Sequence, residues 1–202
     1  MARSKLLIAS NNIGKIQEYT VLLQGLPFEL TSPVQEQMTG EPEENGTTFK
    51  ENALLKARYF AKLCSHYVMA DDSGLEVDVL SGEPGIYSAR YAGPNTTDEE
   101  RNQYLLRKLV GVPWPQRTAQ FKCVIALIRP DGRETTFCGT IPGTIGLESK
   151  GTYGFGYDPI FYIPELNQTF AELGPTLKNQ RSHRASAARK FALALAKELT
   201  TT

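Results

Sequence analysis

Short apolar runs and stretches of helical periodicity take turns along this chain, and that alternation confines it to architectures in which helices cover a sheet. Lys5 to Ser10 reads as a buried strand that stops at the turn-prone pair Asn11-Asn12. A helix from Gly14 follows, with Ile16, Tyr19, Leu22 and Leu23 at helical spacing and with Gly25 and Pro27 ending it. Phe28 to Thr31 offers a second short strand. Thr48, with Glu51 three residues on, predicts a capping box for a helix to Ser65 whose apolar face uses Leu54, Leu55, Tyr59, Phe60 and Leu63. Tyr67 to Ala70 predicts a third strand, broken by Asp71-Asp72-Ser73-Gly74.

Leu75, Val77 and Val79 alternate with Glu76 and Asp78, as in a half-buried strand. Pro84 to Pro94 reads as loop. Thr97 and Glu100 cap a helix to Val110. Phe121 to Ile128, the turn Pro130-Asp131-Gly132 and a strand from Glu134 to Cys138 form a hairpin signal, and Ile141 to Leu147 offers a further strand. Ser186 to Leu199 predicts a final helix with Phe191 and Leu195 on one face. The expected class is α/β: a mixed sheet flanked by helices in a single domain of 202 residues.

Charge separates the function classes. Lys plus Arg and Asp plus Glu are 22 each, so the net charge is zero, whereas a protein living on duplex phosphates is usually basic. Leu6 to Ala9, the apolar run after Met1-Ala2-Arg3-Ser4-Lys5, is too short for a signal-peptide core or a membrane span. A cytoplasmic protein is expected, with neither nucleic acid nor membrane as partner. Cys64, Cys123 and Cys138 are odd in number and widely spaced, and read as small buried hydrophobes in a reducing compartment.

Five segments carry chemistry. Ser10-Asn11-Asn12-Ile13-Gly14-Lys15 joins a strand to a helix, a junction that aims backbone N–H groups and a positive helix end at one spot; it reads as a phosphate site or as a plain turn beside a solvated lysine. It is no Walker A loop, since Ala9 and Ile16 stand where that pattern needs Gly and Ser or Thr. Asp71 and Asp72 repel each other unless a cation sits nearby, and a divalent ion with oxygen ligands suits them, Mg²⁺ being the usual partner of phosphates. Glu36, Glu41, Glu43 and Glu44 form an acidic loop, either a solvated face or the source of a further metal ligand. Gly154-Phe155-Gly156-Tyr157-Asp158-Pro159 places two aromatics among glycines, either as a stacking platform for a base or as a turn with its rings in the core. Lys178, Arg181, Arg184, Arg189 and Lys190 make an acid-free basic segment that suits a polyphosphate or a carbonyl-bearing base, or the exposed start of a helix. His66 reads as an exposed end residue and Trp114 as a packing anchor. Two histidines, far apart in the chain, are too few to suggest a transition-metal site, and no Gly-x-Ser-x-Gly surrounds Ser73.

Taken together, these segments give the chain a resemblance to the inosine triphosphate pyrophosphatase family. The matching motifs are Ser10-Asn11-Asn12-x-Gly14-Lys15, Thr48-Phe49-x-x-Asn52-Ala53-x-x-Lys56-Ala57, Asp71-Asp72-Ser73-Gly74-Leu75, Pro84-Gly85-Ile86-Tyr87-Ser88-Ala89-Arg90, Phe155-Gly156-Tyr157-Asp158-Pro159 and Ser182-His183-Arg184, all in family order. The resemblance implies an elongated mixed sheet flanked by helices, two lobes with a substrate cleft between them, a homodimer, and Mg²⁺-dependent hydrolysis of ITP, dITP and XTP to the monophosphate and pyrophosphate. It implies that Asp72 is general base and metal ligand, with Asp71 supporting the metal and a further acidic ligand from the Glu43-Glu44 pair. It implies that Ser10, Asn11, Asn12, Ile13, Gly14, Lys15, Lys56 and Ser73 hold the phosphates, Lys15 and Lys56 also stabilising developing charge. It implies that Phe155, Gly156, Tyr157, Asp158, Lys178, His183 and Arg184 hold base and sugar. Arg181 lies outside the motif and is read as surface. Three other functions compete with this one: a Maf-like pyrophosphatase acting on pyrimidine or modified nucleotides, a nucleotide-binding sensor without catalysis, and a nucleic-acid-binding module using the basic segment, against which the zero net charge argues.

Overall fold

Leu6, Leu7 and Ile8 are among the most apolar neighbours in the chain, and a strand buried on both faces is how such a run avoids water. They form the middle of β1 (Ser4–Ile8) in the computed structural model, which describes residues 3–40 and 42–200. β1 pairs in parallel with β2 (Phe28–Thr31), in the register Leu6 to Leu30, and with β3 (Tyr67–Val77), in the register Ile8 to Met69. β4 (Thr118–Ile128), β5 (Glu134–Ile145), β6 (Phe161–Ile163) and β7 (Gln168–Thr169) complete a seven-stranded sheet in the order β2-β1-β3-β4-β5-β6-β7. The β5–β6 and β6–β7 pairs are antiparallel, so the sheet is mixed, as expected. The β4–β5 turn closes through the Arg129 N–H, which donates to the Arg133 carbonyl at 3.1 Å.

The helices are α1 (Ile13–Leu22), α2 (Phe49–Ala61), α3 (Asp98–Lys108), α4 (Pro175–Arg181) and α5 (His183–Thr200). None among the described residues is long and apolar enough to cross a membrane. The chain divides into two compact units. The first is Met1–Asp72, Cys123–Gly139 and Arg184–Thr202; the second is Ser73–Lys122 and Thr140–His183. The first has a core of Leu6, Ile8, Tyr19, Leu23, Met69, Ile125, Phe191 and their neighbours. The second has its own, built on Leu75, Leu105, Phe121, Phe161 and Phe170, the three phenylalanine rings contacting one another in tilted or stacked pairs.

Several expectations change. Asp71-Asp72-Ser73-Gly74 does not break the third strand: β3 runs through it, because the acids find cations there rather than water. The alternation ends at Val77, and Val79 sits exposed in a 3₁₀ turn, Asp78–Leu80. The predicted strands at Glu134 and Ile141 are one strand, β5. The loop after Pro84 contains a 3₁₀ helix, Gly85–Arg90. The Asn11-Asn12 turn ends in an N-cap: Asn12 Oδ1 accepts the Lys15 N–H at 3.0 Å, so α1 starts at Ile13. At α2 only half of the predicted box forms. Thr48 Oγ1 accepts the Glu51 N–H at 3.1 Å, while the Glu51 carboxylate reaches one residue further back to Thr47. The Thr97–Glu100 box on α3 is complete. Of the cysteines only Cys123 is fully buried; Cys138 is exposed. His66 is half-buried, 3.6 Å from Glu36, and Trp114 packs edge-on to Tyr162 while staying part-exposed. The basic segment is two helices, not one surface stretch: Ser182 separates α4 from α5, and Lys178, His183 and Arg184 are all buried, with Arg181 exposed as read.

Candidate active site

In the first unit the strand end of β1, the start of α1, one face of α2 and the middle of β3 bring charged groups together. Lys15, in the first turn of α1, places its Nζ 3.0 Å from Asp71 Oδ2. Arg184, at the start of α5, points its Nε at the same oxygen from 3.7 Å, while its Nη1 donates to Glu18 at 2.7 Å. Lys56, on α2, sits between two carboxylates, 2.7 Å from Glu44 Oε1 and 3.4 Å from Asp72 Oδ1. The other Asp72 oxygen accepts from Asn52 Nδ2 at 3.2 Å. Asn52 is fully buried, and its carbonyl accepts the Gly46 N–H at 2.9 Å, which ties the acidic loop to Asp72 through one side chain.

The neighbouring acids are held in opposite ways. Burial opposes the charge on Asp71, but Lys15, Arg184 and Lys56 outweigh it and hold its carboxyl at about 2. Burial also opposes the charge on Asp72. Lys56 and Lys15 do not fully offset it, with Glu44 and Asp71 adding like charge, so Asp72 lies above the ordinary carboxylate value. Lys56 is pulled down by burial, yet Asp72, Asp71 and Glu44 leave it above the usual lysine value. Beside them, burial and the Asp71 charge push the Cys123 thiol up to about 12, and burial raises Tyr19 as well. Neither group serves as a nucleophile or base near neutrality.

Among the described residues no group of three or more acids, histidines or cysteines is placed to hold a metal. The donor set that does form is Asp72 with Glu44, two hard carboxylates converging on one ammonium. That matches the habit of Mg²⁺, which uses one or two carboxylates and takes its remaining ligands from water and substrate phosphates. Glu43 is exposed and Asp71 is committed to Lys15 and Arg184. Glu36 bonds Lys5 and Thr31, and Glu41 lies outside the described residues. At the start of α1, Ser10 Oγ accepts the Asn12 N–H at 3.2 Å. The N–H groups of Ile13 and Gly14 belong to the first turn, where helix geometry gives them no partner of its own.

In the second unit the Gly154–Asp158 turn folds over Lys178. Gly154 (φ +82°) lets the backbone approach Asp158: a Cβ there would lie 2.1 Å from the Asp158 carboxylate. Asp158 Oδ2 accepts the Phe155 N–H at 2.9 Å and pairs with Lys178 Nζ, and that ammonium lies 4.7 Å from the centre of the Phe155 ring. Of the two aromatics only Phe155 keeps an accessible face. Tyr157 belongs to the core and donates its hydroxyl to the Ser88 carbonyl at 2.8 Å. His183 is buried and stacks on Phe121, centroids 4.7 Å apart. Ser73 is half-buried in β3 at the start of this unit.

A model of the Ham1 family matches residues 6–194. The chain belongs to the Ham1 family. It is 47% identical over 191 residues to the dITP/XTP pyrophosphatase of Exiguobacterium sibiricum, covering 95% of this chain and 96% of that one. The Staphylococcus aureus Ham1 protein superposes with a TM-score of 0.87 at 45% identity, over 96% of this chain and all of that chain. A Ham1 protein from Coxiella burnetii gives 0.88 at 40% identity, over 96% and 99%. The α/β fold of this Ham1 chain is therefore that of its solved neighbours.

Two residues of the cluster carried no assigned role in the sequence. Asn52 belongs to a quoted motif, but its partner Asp72 is twenty positions away. Glu18 pairs with Arg184 across 166 positions, and no local signal marks it. Arg184, which the resemblance assigns to base and sugar, packs against Glu18 and Asp71 within the first unit of this Ham1 protein.

Proposed function

We propose that the chain is a hydrolase that cleaves ITP, dITP and XTP between the α and β phosphates, releasing pyrophosphate and the nucleoside monophosphate. The observation that carries this reading is the buried cluster in which Lys15 pairs with Asp71 and Lys56 with Asp72, in a chain 47% identical to a dITP/XTP pyrophosphatase. Mg²⁺ suits the cluster: Asp72 and Glu44 would hold it, and it supplies charge neutralisation at phosphate oxygens when bound.

The remaining steps belong to the chain. Asp72 takes a proton from water as that water's oxygen bonds to the α-phosphorus, and the bond to the departing pyrophosphate oxygen breaks. Asn52 holds the Asp72 carboxylate in one orientation, leaving its second oxygen toward Lys56. Lys15 and Lys56 stabilise charge gathering on the phosphates, and the first-turn N–H groups of Ile13 and Gly14 donate to one of them. Arg184 keeps Asp71 ionised. In the second unit, Phe155 stacks on the purine, with Asp158, Lys178 and His183 fixing its edge and the sugar. A homodimer is part of the proposal, and a solution mass near the 22.4 kDa of one chain would remove that part.

The test is pyrophosphate release with Mg²⁺ from ITP, XTP, dITP, GTP and ATP at equal concentration. Fast release from the first three and slow release from the others is the expected result. Asp72→Asn is expected to lower turnover roughly 10²–10⁴-fold, the usual contribution of a general base. Undiminished turnover in that variant would remove Asp72 from the role.

A further inference from the structure

Asp98 and Asn102 lie one helical turn apart on α3 and reach the same residue of the Phe155 turn. The Gly156 N–H donates to Asp98 Oδ2 at 2.6 Å, and Asn102 Nδ2 donates to the Gly156 carbonyl at 3.1 Å. Gly156 has φ +63°, and a Cβ there would meet nothing within 4 Å. Its backbone conformation, not crowding, therefore calls for glycine, and a flexible residue in that region needs outside support to keep one shape.

Neither side chain is required by its own helix. Thr97 and Glu100 complete the cap of α3, and Glu99 accepts from Gln103 at 2.8 Å, so the Asp98 carboxylate is surplus to capping and turns to Arg101 and Gly156. Asn102 is 1% exposed, and among the described residues its Oδ1 has no hydrogen-bond partner. Burying an amide that is only half satisfied is costly where an apolar side chain would pack without penalty. Gly156 supplies the contact that gives the amide a purpose.

We propose that Asp98 and Asn102 are positioning residues: by holding both polar groups of Gly156 they fix the plane of the Phe155 ring and the direction of Asp158, and so set which purine the turn accepts. This rests on the base-holding role given above to Phe155 and Asp158. Discrimination between purines that differ in one exocyclic group depends on donors and acceptors held to a fraction of an ångström. The chemical step uses Asp72, Lys15 and Lys56, which these two residues do not touch.

The experiment compares Asp98→Ala, Asp98→Asn and Asn102→Leu with wild type, measuring kcat and KM for dITP and dGTP beside the melting temperature. Asp98→Ala and Asn102→Leu are expected to raise KM for dITP about tenfold and lower the dITP-over-dGTP preference in kcat/KM by a similar factor, with kcat within about twofold. Asp98→Asn, which keeps an acceptor, is expected to restore most of both. Asp98 is half-exposed and outside the core, so its variants decide the matter even if Asn102→Leu fails to fold. Folded Asp98→Ala with unchanged KM and preference, or with a lower melting temperature as its sole change, overturns the inference. Wild type that releases no pyrophosphate from dITP overturns the base-holding reading first, and this inference with it.

Discussion

Asp71 and Asp72 share a strand and are both buried carboxyls, and their surroundings still hold them in opposite ways. Asp71 is ionised at a cost met by Lys15 and Arg184, and its stabilisation has a definite pH window. Its folded value lies below the ordinary 3.8, so the contribution is complete above that pH and is lost as pH falls through about 2. It is worth on the order of 2 kcal/mol. Asp71→Asn is expected to destabilise the chain by more than that, about 3–5 kcal/mol by urea titration, because it leaves Lys15 and Arg184 buried without their shared anion. Asp72 runs the other way. Its folded value is raised, so the folded chain binds a proton more tightly than the unfolded one, and its favourable contribution is lost as pH rises through that value. Asp72→Asn, the variant proposed above to lower turnover, is therefore expected to raise the melting temperature near neutral pH without metal, Lys56 keeping Glu44 at 2.7 Å. That gain should vanish in acid. A metal-free Asp72→Asn that melts below wild type near neutrality would show that Lys56 and Asn52 already compensate the charge in full. With Mg²⁺ present the order should reverse, since a ligand bound only by the folded wild type adds about 2.7 kcal/mol at a hundred times its Kd.

Among the elements, the ones legible from sequence are those whose signal is local. β1, β2, α1, α2 and α3 were marked by apolar spacing and by Asn, Thr and Gly at their ends, and they form where predicted to within a few residues. β3 was misread because two adjacent acids look like a strand end. They stay inside the strand because Lys15, Lys56 and Arg184, brought from three other parts of the chain, supply the counter-charge. β6 and β7 are three and two residues long and exist through antiparallel pairing alone, which leaves no periodic trace. α4 did leave one: Gly174-Pro175 is a helix start with proline at its first position. The acids and lysines of the site were legible as motifs, while Asn52, Glu18, Asp98 and Asn102 act over sequence distances that spacing does not encode. The caps differ in a testable way. Thr97→Ala removes two hydroxyl bonds, the one accepted from the Glu100 N–H and the one donated to the Glu100 carboxylate, while the Thr97 N–H keeps that carboxylate, and it is expected to cost about 1–2 kcal/mol. Thr48→Ala removes one bond and leaves Glu51 anchored at Thr47, so its cost in the same denaturant titration should be smaller. Equal costs would mean that the hydroxyl bond from Thr97 to the Glu100 carboxylate adds nothing.

For the whole molecule, the relevant fact is where the chain passes from one compact unit to the other. It does so after Asp72, Lys122, Gly139 and His183, and each point lies inside a regular element: β3, β4, β5 and the first turn of α5. Domains that unfold separately are normally joined through exposed linkers with few constraints. Here, melting either unit alone would need the backbone pairing of three strands to stop part-way along their lengths. A single unfolding transition is therefore expected by both calorimetry and denaturant, despite two cores. Phe191→Ala empties a site in the first core and Phe170→Ala one in the second, both rings being fully buried. Each is expected to cost about 3–5 kcal/mol and to shift the one transition monitored by any probe. If Phe170→Ala instead split the transition, with the first unit melting at its wild-type midpoint, the shared strands would couple the two cores less than their continuity implies, and the roles proposed for Asp72 and Phe155 would be separable by temperature.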